Sequence, residues 1–447
     1  MELQDAKRNE YKLWDEDQRM NVRRVAEVKA GNSTTSDTLI TDRLASQPLR
    51  KSFISYPFVL SPHTKAQILE FDAGNQMRRG LHQEMREAMV SGQRQILPYL
   101  LLNVRRDSIV NDTINLLAGY DTQDLKKPLK VIFDGEEGVD AGGVRKEFFQ
   151  VITRQLLDPS YAMFKYYEES RLIWFSSDNF EAAEAFELVG TLLGIAIHNS
   201  IIVDLRLPVA VYKKLKGLAS TLDELSVLQP SLAKGLRTLL SFSGDVKSTF
   251  ETSFQITYEV FGEKKTIDLI PDGGSVFVDE SNREQYVELY VKQIMDVSVS
   301  QQFEAFARGF QKVCGGAAID LFEAEELELL ICGNPVLDFE ELRRGTRYDD
   351  GFDEESRVVR DFWEILLQFD EDDKKLFLKF ISGSDRSPID GLSKLGFVIS
   401  KNGTDDVRLP TAHTCFNHLL LPDYSSREIL EEKLKLAISN AEGFGLR

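Results

Sequence analysis

The sequence predicts an α+β protein in two unequal lobes: a large, mainly helical lobe with short β-hairpins, a hinge, and a small α/β lobe. Three observations carry this reading. A chain of 447 residues exceeds one ordinary hydrophobic core. Apolar residues recur at helical spacing through most of the chain up to Ile331, interrupted by short runs of strand length. Cys332-Gly333-Asn334-Pro335 then breaks the pattern, and glycine plus proline in a short polar run marks a boundary. The expected organisation is an N-terminal extension of unknown role over 1–45, a large lobe with its preceding helices over 46–332, a hinge over 333–338 and a small lobe over 339–447.

Composition narrows the class. Hydrophobic content of 42% and charged content of 28% suit a soluble globular protein. A net charge of -18 argues against nucleic acid, whose phosphates need clustered Lys and Arg, and suits a basic partner. Met1–Met20 is too charged for a signal peptide. Phe186–Val203 is the most apolar stretch, but Glu187, Thr191, His198, Asn199 and Ser200 make it a buried helix rather than a membrane span. The three cysteines, Cys314, Cys332 and Cys415, are too few and scattered for a disulfide framework, so a reducing cytoplasmic or nuclear compartment is expected.

Taken in order, residues 1–30 are dense in charge with scattered apolar positions such as Trp14, and Gly31–Thr38 reads as a linker. One helix is expected from Ser61-Pro62 to about Phe71 and another over Gly74–Ser91. Asn103–Leu117 has helical periodicity, and Val131-Ile132-Phe133 reads as a buried strand. Gly135–Phe149 is a glycine-rich turn leading into a helix over Val144–Leu157. Glu136, Glu137 and Asp140 would repel a phosphate there and the P-loop Gly-Lys-Ser/Thr is absent, so the turn reads as structural. Leu172–Phe175 is an aromatic strand, followed by buried helices over Phe180–Asn199 and Pro208–Leu215. Pro230 opens a helix with Leu232, Leu236, Leu239 and Leu240 on one side. Val246–Leu269 reads as a hairpin in which Phe254, Ile256 and Tyr258 alternate. In the helix Asn282–Val299, Tyr286, Tyr290 and Ile294 form a stripe that reads as core or as a docking groove. Glu323–Ile331 is helical or strand-like. The small lobe should hold a helix after Asp338, helices over Arg357–Phe369 and Lys374–Ile381, a strand Phe397–Ser400 and a closing helix Glu428–Ala441. Its acidic run lacks the glycine and final Glu of a calcium loop and reads as a helix N-cap with first-turn acids.

Near the end stands Leu409-Pro410-Thr411-Ala412-His413-Thr414-Cys415-Phe416-Asn417. Threonine, phenylalanine and alternation favour extended backbone, and on a strand His413 and Cys415 would share a face. A thiol beside an imidazole, on a segment that proline keeps out of a helix, is a nucleophile candidate. Two other readings stand beside it: an inert buried cysteine, and a metal site from His413, Cys415 and His418. The remaining histidines, His63, His82 and His198, supply no second cluster for a metal. No histidine follows His418, which removes a papain-like order. A cysteine without a dedicated triad suits acceptance of an already activated acyl group better than attack on an amide.

The segment LPTAHTCFN, followed by LLLPDYSSREIL and a terminus GFGLR, resembles the C-terminal lobe of the HECT ubiquitin ligases. GVDAGGVRKEFF, LGIAIHNSIIVDLRLP, ELELLICG and GSDRSPIDGL resemble HECT segments in the family order, from about residue 50 to the end. Within the family, the likeness is to the E6-associated-protein and HERC groups; residues 1–45 resemble nothing in it. The resemblance implies the bilobal HECT fold, with an N-lobe that binds a ubiquitin-charged E2 enzyme and a C-lobe that carries the thioester cysteine and swings on the hinge. It implies Cys415 as nucleophile, His413 orienting or polarising its thiol, Thr414 and Asn417 shaping the acceptor site, and Phe444 placing the C-lobe for lysine modification. It puts the E2 groove on Leu232, Leu236, Phe250, Tyr286 and Tyr290. Gly235 and Phe250 depart from the family pattern, standing where relatives have a small polar residue and a methionine. The chain ends in Arg447 where some subfamilies have an acid, which leaves Glu442, Asp423 and the terminal carboxylate as candidate bases.

The expectation is an E3 ubiquitin-protein ligase that takes ubiquitin from an E2 thioester onto Cys415 and passes it to a substrate lysine. No cofactor and no metal are expected at this step. The expected partners are an E2 enzyme, ubiquitin and protein substrates, without nucleic acid. The rivals are a catalytically silent HECT-like module that binds E2 or ubiquitin, and a cysteine hydrolase acting on ubiquitin conjugates. HECT ligases usually carry targeting domains ahead of the catalytic part, so substrate choice is expected to rest on residues 1–45, on a longer chain or on an adaptor.

Overall fold

The computed structural model describes residues 56–91, 97–136, 143–158, 161–177, 183–203, 205, 207–260 and 263–440. The chain forms two units, Met1–Ile68 and Leu69–Arg447. Helix α1, Pro62–Ser91, runs without the break expected near Gly74. A single helical glycine costs only about 1 kcal/mol, which its helical neighbours outweigh. Helix α2 (Ile109–Ala118) covers most of the helix expected over Asn103–Leu117, whose first two residues instead end strand β1 (Leu100–Val104). Leu100, Leu102 and Val104 alternate inward, and β1 pairs in parallel with β2 (Leu129–Phe133), which draws Asn103 and Val104 into the ladder.

Helix α3 (Gly143–Leu156) follows the glycine-rich turn, part of which lies outside the described residues. Strands β3 (Phe164–Tyr167) and β4 (Leu172–Phe175) form an antiparallel hairpin. Helix α4 (Ala183–His198) is buried over almost its whole length, as its all-round apolar sequence requires. Then come α5 (Val209–Leu215), capped by Pro208, α6 (Leu222–Leu228) and α7 (Pro230–Ser241), with Pro230 in its first turn. The stretch expected as one hairpin splits into helix α8 (Val246–Phe250) and the antiparallel pair β5 (Gln255–Val260) and β6 (Glu263–Asp268). Asp245 accepts a bond from Ser248 N–H at 3.1 Å and so starts a helical turn that alternation alone does not reveal. Helix α9 (Arg283–Met295) packs on α6 and α7. Helix α10 (Ser300–Cys314) lies along α4 at the centre of the large lobe, followed by α11 (Ala317–Asp320) and α12 (Ala324–Cys332).

Gly333 ends α12 with φ 80°. The next residue, Asn334, exchanges two backbone hydrogen bonds with Ser387, at 2.7 and 2.9 Å. The small lobe has helix α13 (Phe339–Gly345), strand β7 (Arg347–Asp349), helices α14 (Arg357–Gln368) and α15 (Glu371–Ser382), strands β8 (Val398–Lys401), β9 (Thr411–His413) and β10 (His418–Leu421), and helix α16 (Arg427–Ser439). Its four strands lie in the order β7-β8-β10-β9, with β8 parallel to both neighbours and β9 antiparallel to β10. Phe362, Trp363, Phe377, Phe397, Leu419 and Leu434 centre a core of its own. Asp370 accepts from Asp373 N–H at 2.8 Å, with acids in the first turn of α15, as the N-cap reading expects.

His198 closes α4 in the interior, where Nε2–H donates to Lys126 O at 2.9 Å. Burial, the largest influence, holds its pKa below the ordinary 6.5, and the carbonyl bond opposes this only in part. The unfolded chain therefore takes up a proton that the folded chain refuses. This contribution to stability is whole above pH 6.5 and is lost as pH falls through that value toward the depressed folded pKa. Between about pH 7 and about pH 5, the urea midpoint of the native chain should fall more than that of His198→Gln. Equal falls would remove His198 as the cause.

Candidate functional site

The cysteine segment is not one strand. β9 stops at His413, and Thr414–Phe416 forms a 3-10 turn before β10 begins. Asn417 closes the turn in the left-handed region, φ 49°, with its N–H donating to Thr414 O at 3.4 Å. Asn tolerates this conformation better than most side chains. β10 is pinned beside β8, so β9 must turn back on it within Thr414–Asn417. Cys415 thus occupies the apex of the β9–β10 hairpin, and the strand geometry that would set His413 and Cys415 on one face is absent. His413 is opposite His418 in the ladder instead, with ring centroids 6.1 Å apart. His413 is exposed; His418 is half-buried and its Nε2 meets Ser400 Oγ at 2.7 Å.

Asn417 is buried and holds the turn from two sides. Its Nδ2 donates to Leu395 O at 2.6 Å, and its Oδ1 accepts from Lys146 Nζ on α3 at 3.1 Å. The approach to β9 is tied down by Tyr424, whose hydroxyl donates to Arg408 O at 2.6 Å, and by Asp406, which accepts from Ser425 N–H and Oγ at 2.8 and 2.6 Å. Of the candidate bases, Asp423 already pairs with Lys401 at 2.7 Å, which gives its carboxylate a structural partner. Glu442, Phe444 and Arg447 lie outside the described residues.

The other two thiols are buried. Cys314 donates to Gly194 O at 3.4 Å, and burial pushes its pKa up to about 12. Cys332 donates to Leu205 O at 3.0 Å, and burial pushes it up to about 11. Both are protonated at neutral pH, the form that is not a nucleophile.

The five residues expected in a docking groove gather around α7, α8 and α9, but at different depths. Leu236 and Tyr286 are 6% and 5% exposed, and burial holds the Tyr286 hydroxyl up at about 12. Leu232, Phe250 and Tyr290 are half-buried. Tyr286 stacks edge-on between Phe254 and Tyr290, at 5.4 and 5.7 Å. A partner can therefore touch Leu232, Phe250 and Tyr290, while Leu236 and Tyr286 support them from beneath. Phe242 was not singled out by periodicity, yet it packs against Phe250 at 5.3 Å. Lys146 was also missed; the only signal for it was its place in GVDAGGVRKEFF.

The sequence model of the family described as HECT-domain (ubiquitin-transferase) matches residues 150–447. The chain belongs to the HECT ubiquitin-transferase family. It is 41% identical over 444 residues to the probable E3 ubiquitin-protein ligase HERC4 of Homo sapiens, covering 98% of this chain and 41% of that one. It is 42% identical over 413 residues to the probable E3 ubiquitin-protein ligase HECTD2 of Mus musculus, covering 89% and 53%. The probable E3 ubiquitin-protein ligase mug30 of Schizosaccharomyces pombe is 38% identical over 426 residues, covering 88% and 52%. The chain thus spans about half or less of the length of the curated relatives it matches. The HERC4 match leaves too few residues uncovered to exclude 1–45, so the extension has kin that its own composition did not reveal. In HECT terms the large lobe is the N-lobe and the small one the C-lobe. Among the described residues no helix is long and apolar enough to cross a membrane.

In the native HECT chain, iodoacetamide near neutral pH should modify Cys415 well before Cys314 or Cys332, with the latter two reacting only after denaturation. Peptide mapping reads this directly; equal labelling of all three in the folded chain would remove the burial argument.

Proposed function

We propose that this chain receives ubiquitin from an E2 enzyme on Cys415 and passes it to a lysine of a protein substrate. The observation that carries this is the position of Cys415 at a hairpin apex of the C-lobe, in a HECT chain whose other thiols are buried and protonated. In the first step the Cys415 thiolate attacks the carbonyl of the E2 thioester. The tetrahedral adduct collapses, a new thioester forms, and the E2 cysteine leaves as thiolate. In the second step a neutral lysine amine attacks that thioester. An isopeptide bond forms, Cys415 leaves as thiolate, and the amine proton passes to a base or to water. Both steps start from an activated carbonyl, so neither requires the deep oxyanion stabilisation of amide hydrolysis. We assign to His413 the orienting or polarising of the thiol, to Thr414 and Asn417 the shape of the acceptor site, and to Phe444 the placing of the C-lobe. The E2 enzyme is proposed to dock at Leu232, Phe250 and Tyr290 over a base of Leu236 and Tyr286. Two unpaired buried thiols suit a reducing cytoplasmic or nuclear compartment.

With activating enzyme, ATP, an E2 panel and ubiquitin, the chain should form a ubiquitin adduct that a thiol reductant releases. Cys415→Ala should form none, and an adduct on that variant would overturn the assignment. Binding of charged E2 without any adduct would favour the silent-module reading instead. In the same assay Phe250→Ala with Tyr290→Ala should slow loading by roughly tenfold or more, as lost aromatic anchors do at interfaces. Unchanged loading would return that face to the core.

A further inference from the structure

The cysteine turn is held by both lobes. Asn417 fastens it to the C-lobe through Nδ2 and Leu395 O, a bond within one rigid core. Its other amide end accepts from Lys146 of the N-lobe, at 3.1 Å. One helical turn beyond Lys146 on α3, Gln150 meets the C-terminus of α15. Gly383 there has φ 80°, and a Cβ on it would overlap Gln150 Nε2. α3 thus presents one face, Lys146 and Gln150, to two separate pieces of the C-lobe.

Elsewhere the boundary between the lobes includes polar contacts and an open cleft. The hinge pairs Asn334 with Ser387, and Arg386 Nη1 reaches Gly333 O at 3.4 Å. Beside it lies a cleft of about 390 Å³ whose lining mixes charged residues, among them Glu328, Lys375 and Arg386, with the apolar Leu172, Leu205 and Leu207. Lobes with separate cores, joined by hydrogen bonds beside an open cleft, can part without exposing a core. When they part, the Leu395 bond of Asn417 stays and the Lys146 bond breaks.

We propose that Lys146 is a positioning residue for the second step: through Asn417 it sets the cysteine turn on the N-lobe while ubiquitin passes to the acceptor amine. This rests on the proposed docking of E2 at α7, α8 and α9. Loading requires the C-lobe to reach an E2 held there, whereas the Lys146–Asn417 bond belongs to the arrangement in which the turn sits on α3. The bond therefore acts on discharge and not on loading, and it reports which way the C-lobe faces.

Single-turnover assays separate the two steps. E2 charged with fluorescent ubiquitin loads the chain, and free lysine then discharges it. Lys146→Ala should load within twofold of wild type but discharge about tenfold more slowly, the size of one charge-assisted hydrogen bond. Lys146→Arg should recover most of the loss. Asn417→Ala combined with Lys146→Ala should discharge no more slowly than Asn417→Ala alone, because both remove the same bond. Wild-type discharge by Lys146→Ala, an equal loss in both steps, or a further tenfold loss in the double variant would each overturn the proposal. A wild-type chain that never loads would overturn the proposed function instead. The contact is then read without ubiquitin, from the distance between two genetically encoded spin labels on α3 and α16. Lys146→Ala should broaden that distribution and Lys146→Arg should not; identical distributions would remove Lys146 as the link.

Discussion

Where α4 crosses α10, Gly190 lies against the carbonyl of Phe306 and Gly309 against that of Glu187, leaving no room for a Cβ at either position. Two helix backbones in contact fix their own distance and crossing more firmly than side chains do, since side chains can re-pack. Around this contact Phe175 packs on Phe186, Phe303 and Phe306, with ring centroids 5.4 to 6.2 Å apart. At its rim Glu187 is held by Arg308 and Lys312, which keep its pKa below the usual carboxylate range. Just past the end of α4, Asn199 Oδ1 accepts from Leu129 N–H at 2.9 Å and joins the helix pair to the parallel strands β1 and β2. Helix α12 packs on α4 and α5 and ends at Gly333. The helix that leads out of the large lobe therefore rests on a helix pair whose spacing is fixed by two glycines far from the cysteine.

The C-lobe has the opposite design. Its core is complete without the N-lobe: Trp363 is 1% exposed and its Nε1 donates to the Tyr348 hydroxyl at 2.9 Å, while Phe377 and Phe397 are fully enclosed. A core that closes on itself does not depend on the other lobe, and the contacts across the boundary include an ammonium on an amide and a short backbone pair. Such contacts are individually worth about 0.5–3 kcal/mol and are readily exchanged for water.

Sulfur placement follows the same division. Cys314 and Cys332 sit at the ends of N-lobe helices, where they pack as small apolar groups and donate weakly to carbonyls. Cys415 stands in the 3-10 turn at a reversal that the sheet order forces on β9, outside any α-helix or ladder.

Local pattern by itself determined the capped helices α15 and α16, the strand β2, the buried length of α4, the break at Gly333, and, through LPTAHTCFN and its companion segments, the family. These signals need only near neighbours: a cap, a glycine or a 3.6-residue period is readable within one turn of chain. Tertiary structure decided what depends on distant partners. β1 is a strand because β2 lies beside it. Leu236 and Tyr286 share a helical face with the half-buried Leu232 and Tyr290, yet only packing decides which of them lie beneath the surface. Cys415 turns rather than extends because β10 is claimed by β8. Lys146 and Asn417 are 271 residues apart, and no periodicity links residues so far apart in the chain. Their contact joins two lobes with separate cores.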